Sequence, residues 1–80
     1  MKNHIDNFTR MRRSDIIRGE IFEQDGQLCI AITSPEEIGT TLRYPIDFLY
    51  VRTLEEILTG AIESHARKLH RNHLQLSILN

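Results

Sequence analysis

The chain predicts an α+β fold: a small, mainly antiparallel sheet packed against one long amphipathic helix. Three observations carry this expectation. Asp25-Gly26 sits between two apolar-rich runs, a hairpin signature. A third run, residues 40–51, is rich in β-branched and aromatic residues. Thr53 then opens a stripe of apolar residues at helical spacing.

The hairpin is the clearest element. Asp-Gly suits a two-residue type I′ turn because both central positions need positive φ. Pairing Gln24 with Gln27 sets the register, with Glu23 opposite Leu28, Phe22 opposite Cys29, Ile21 opposite Ile30 and Gly19 opposite Ile32. Side chains alternate along a strand, so Ile17, Ile21, Leu28, Ile30 and Ile32 gather on a core face. The other face collects Arg18, Glu20, Phe22, Cys29, Ala31 and Thr33, and there Phe22 and Cys29 need cover.

The flanking segments follow from the same rules. In residues 4–12, Ile5, Phe8 and Met11 recur at three-residue steps, which predicts a short N-terminal helix or arm within residues 1–13. Residues 34–39 predict a one-turn connector, with Ser34 capping, Pro35 in the first helical position and Gly39 ending it. Residues 40–51 form the third strand, and Pro45 either places it at an edge or breaks it there, because proline cannot donate to a ladder.

The long helix starts at Thr53, where T-L-E-E is a capping box with Glu56 as its acid. Leu54, Ile57, Leu58, Ala61, Ile62, His65, Ala66 and Leu69 make its apolar stripe. Gly60 interrupts it, at a cost that a close backbone approach would offset. Asn72 is the expected terminator, and residues 73–79 alternate as a C-terminal strand.

Composition narrows the function. Eighty residues predict one domain, 1–80, with a small core that a dimer interface would supplement. The apolar fraction of 40 % is enough to drive folding, so disorder is excluded. A lone cysteine, Cys29, leaves no internal disulfide, and neither a signal-peptide core nor a membrane span occurs, which predicts a cytoplasmic protein. The net charge of −1 hides an asymmetry of +3 over residues 1–19, −7 over 20–63 and +3 over 64–80.

No enzyme signature is present. Ser64 and His65 are neighbours on a helix and point to different faces. The pairs Glu36-Glu37 and Glu55-Glu56 are helix-start acids, and no phosphate loop or nucleophile elbow occurs. No catalytic residue, cofactor or small-molecule substrate is therefore expected. The histidines of residues 65–73 fit no metal. His65 and His70 are five apart, and His70 with His73 would need further ligands. His65 belongs to the core stripe.

Two binding functions remain. The first expectation is a non-enzymatic regulatory or adaptor protein acting by protein–protein contact, as a homodimer or on a foreign partner, through Phe22, Cys29, Tyr44 and Tyr50. Its acidic middle would steer it towards a basic partner. The alternative is a small nucleic-acid-binding dimer, its phosphate contacts made by Arg10, Arg12, Arg13, Arg67, Lys68 and Arg71. An ordinary cause competes for the last three, since basic residues at a helix C-terminus complement its dipole.

Overall fold

The computed structural model describes the backbone of residues 1–34 and 37–79, and the side chains of residues 1–33 and 39–71. The chain forms β1 (Lys2–Arg12), β2 (Asp15–Gln24), β3 (Gln27–Ser34), β4 (Glu37–Pro45), a single helical turn α1 (Phe48–Val51) and α2 (Leu54–Leu79). The four strands make an antiparallel meander in the order β1-β2-β3-β4. The α+β class, an antiparallel sheet with one long helix, is what the chain adopts.

The central hairpin has the expected register throughout, including Phe22 opposite Cys29 and Gly19 opposite Ile32. Asp25 and Gly26 both take positive φ, 55° and 74°, as a type I′ turn requires. Phe8, Ile17, Ile21, Leu28, Ile30 and Ile32 from the sheet form the core with Ile57, Leu58, Ala61 and Ile62 from α2. His65 is buried on the same helix face, with 1 % of its surface exposed. The helix start is capped as expected. The Glu56 amide donates to Thr53 Oγ1 at 3.2 Å, and that hydroxyl donates to Glu56 Oε1 at 3.2 Å.

Both chain ends differ from the sequence reading. The N-terminal segment is a strand, not a helix. Its three-residue periodicity does not mark a buried stripe, since Ile5 and Met11 are exposed while Phe8 alone is buried. The strand is favoured because β2 offers an open ladder and a gap. Gly19 has no side chain, and Phe8 pairs opposite it, so its ring fills that place in the core. Phe8, Arg10 and Arg12 then alternate on the helix-facing side, with a register shift between His4 and Asp6.

At the other end no C-terminal strand forms: α2 runs on to Leu79, making 26 residues. No glycine or proline follows Gly60, and a capped helix once nucleated extends residue by residue. Three alternating apolar residues are too few to stop it. The connector expected at 34–39 falls partly on residues 35 and 36, outside the described residues; Glu37 to Gly39 belong to β4. β4 is an edge strand and stops at Pro45, which cannot donate to a ladder, so Phe48–Val51, expected to continue the strand, form the helical turn α1 instead. Gly60 faces open space, so no close packing explains it.

Candidate polyanion-binding cleft

The cleft is assembled from two segments distant in sequence. Residues 12 and 13 end β1 and begin the tight turn into β2, where Arg12 pairs with Asp15. Arg13 takes a left-handed φ of 58°, a conformation usually left to Gly, Asn or Asp. Residues 66–71 lie across from this turn on α2. Between them is a cavity of about 630 Å³ lined by Arg12, Arg13, Ala66, Arg67, His70 and Arg71.

Four guanidiniums around one cavity repel each other unless carboxylates or a ligand intervene. The opposing charge is sparse. Arg12 meets the Glu63 carboxylate at 3.4 Å. Arg67 donates to the Ser64 hydroxyl at 3.2 Å. Among the described residues neither Arg13 nor Arg71 has an ion-pair partner. A planar guanidinium offers a fork of donors matched to phosphate or carboxylate oxygens.

The helix dipole no longer accounts for this cluster. Because α2 continues to Leu79, its last turn holds no basic residue, and Arg67, Lys68 and Arg71 lie in its interior. Dipole stabilisation is confined to the terminal turn.

Not every basic residue singled out from the sequence joins the cleft. Arg10 is held by Glu55, its Nη2 donating to both carboxylate oxygens at 3.0 and 2.8 Å. Lys68 is exposed but does not line the cavity. His70 does line it, beside the arginines.

The four residues expected to form an apolar patch are dispersed. Phe22 and Cys29 lie on the sheet face away from the helix and are buried. β1 supplies cover for Phe22. The Lys2 ammonium sits 4.6 Å from the Phe22 ring centroid. Glu20 holds it there, accepting from Lys2 at 2.6 Å and contacting His4 Nδ1 at 2.9 Å. Hydrogen bonding to Lys2, then to His4, lowers the Glu20 pKa. Tyr44 is on the helix-facing side, its ring 5.8 Å from that of Phe48, and burial raises its pKa. Tyr50 is 89 % exposed on α1, next to the exposed Leu49 and Val51.

A second, smaller cavity of about 300 Å³ lies between α2 and the β4–α1 connection. Tyr44, Phe48, Arg52 and Gly60 line it, and Arg67 lines both cavities. The sequence reading missed Phe48 and Arg52. The available signal was Gly60, an interior helix glycine with no packing reason. Among the described residues no three of His, Cys, Asp or Glu cluster as metal ligands, and no helix is long and apolar enough to cross a membrane. Comparison with protein-family models, with curated proteins and with solved structures finds no match.

Proposed function

We propose that this protein is a non-enzymatic binding module that grips the phosphate backbone of a nucleic acid in its arginine cleft. One observation carries the reading: Arg12, Arg13, Arg67 and Arg71, from two separate segments, converge on one cavity, and among the described residues the one ion pair any of them makes is Arg12 with Glu63. The reading reverses the order of the two binding functions drawn from the sequence, because the apolar residues behind the protein-contact expectation do not meet on one surface.

The test is fluorescence anisotropy of a labelled oligonucleotide titrated with protein at rising salt. Binding should weaken steeply with salt, and the Arg13→Glu/Arg71→Glu double variant should bind at least about tenfold more weakly, with a shallower salt slope. Both side chains are exposed, so the variant should keep its thermal stability. Absence of binding at about 50 mM salt would sink the proposal.

A second reading, a cytoplasmic adaptor working through protein contact or self-association, is favoured by the exposed Leu49, Tyr50 and Val51 on α1. Sedimentation of the wild type against Tyr50→Ser/Val51→Ser tests its homodimer form. Identical monomeric behaviour of both rejects it.

A further inference from the structure

We infer that the ligand is single-stranded: its phosphates occupy the arginine cleft while a base lies in the adjoining groove against Phe48 and Tyr44. The inference rests on the nucleic-acid reading above and specifies its substrate class.

The two cavities are neighbours on one helix. Arg67 lines both, so a chain leaving the arginine cleft passes this side chain as it enters the groove. Gly60 in the groove and His70 in the cleft are separated by roughly 15 Å along the helix axis, at 1.5 Å per residue. That is a span a short stretch of backbone can bridge.

The groove has the chemistry of a base pocket. Phe48 is 36 % exposed and tilted 39° from Tyr44, so an aromatic surface is open to solvent. Burial raises the pKa of the Tyr44 hydroxyl. Gly60 leaves the groove open, with nothing within 4 Å of where its Cβ would stand. Arg52 and Arg67 line the same groove as the rings, and single-strand sites combine cations with stacking aromatics in this way. Glu56 also lines the groove, but its carboxylate accepts from the Thr53 hydroxyl at the helix cap. A duplex cannot use this arrangement. Its bases are stacked and paired inside the phosphate rails, so none can enter a groove beside the backbone cleft.

The experiment is anisotropy with one labelled strand in three forms: single-stranded, annealed to its complement, and with abasic sites replacing the bases. The wild type should bind the single strand at least about tenfold more tightly than either other form. Phe48→Ala should lose about 5- to 150-fold on the single strand and nothing on the abasic one. A Phe48→Trp variant gives a second readout that does not depend on the alanine variant's folding. Its fluorescence should be quenched by the single strand and unchanged by the duplex. Equal binding of all three forms, with Phe48→Ala silent and no tryptophan quenching, would overturn the base pocket while leaving the phosphate grip intact. Failure of every form to bind would overturn both.

Discussion

Replacing Gly60 with alanine should stabilise the protein. Gly60 is in the interior of a 26-residue helix, and a glycine there costs about 0.8–1 kcal/mol relative to alanine. The cost arises in the unfolded chain, where glycine has more backbone freedom to lose. A larger residue often forfeits this gain by clashing, but a Cβ at position 60 meets no atom within 4 Å. The same emptiness means that no apolar contact is added, so the propensity term stands alone. A gain of about 1 kcal/mol raises the melting temperature of a domain this size by roughly 4–8 °C. Thermal unfolding followed by circular dichroism, paired with a urea titration at unchanged slope, measures it. A variant no more stable than the wild type would refute the reasoning, because either the helix is irregular at Gly60 or the space beside it is filled.

The same substitution at Gly19 should do the opposite. A Cβ there would lie 2.0 Å from the Ala31 carbonyl oxygen and 2.4 Å from Phe8 Cζ, so Gly19→Ala should cost more than about 2 kcal/mol by urea unfolding. Glu20→Gln should change the pH profile of stability on the acid side. The folded-state pKa of Glu20 is lowered, so its contribution is present above the unfolded carboxylate pKa and is lost as pH falls through the folded value. Wild type and variant should therefore converge in strong acid and separate as pH rises through the carboxylate range, and parallel profiles would contradict the Lys2–Glu20–His4 cluster. Cys29, 1 % exposed, should resist a thiol reagent in the native state and react at once in denaturant. Immediate labelling of folded protein would show that the sheet is open at Cys29.

Sequence reading was strongest where a few residues act together. Asp25 and Gly26 fix a turn, the turn fixes a register, and the register places five core residues without further information. Thr53 with Glu56 fixes a helix start in the same way. The ends of the chain lacked such an anchor. Ile5, Phe8 and Met11 match a helical step by spacing alone, while the strand they form depends on a gap at Gly19 in another element. Leu74, Leu76 and Ile78 suggest alternation, but helix propagation from the cap overrides three residues. The cleft was half legible. The basic residues stood out in the sequence, yet Arg10 was diverted to Glu55 and Lys68 left outside by three-dimensional placement. Extending α2 also removed the dipole explanation for Arg67, Lys68 and Arg71.

The order of elements also has a consequence in time. Each strand pairs with its neighbour in sequence, and the helix that covers the sheet is made after all four strands. Contacts between sequence neighbours close quickly, so the meander can assemble during synthesis. At about 5–20 residues per second, translating from Pro45 at the end of β4 to Leu79 at the end of α2 takes about 2–7 s. For that interval Ile17, Ile21, Ile30 and Ile32 have no cover. The emerging chain then resembles half a sandwich, open to chaperones or to another nascent sheet. Because α2 is capped at its beginning, Ile57 and Leu58 reach that surface first, and the vulnerable interval closes from the capped end.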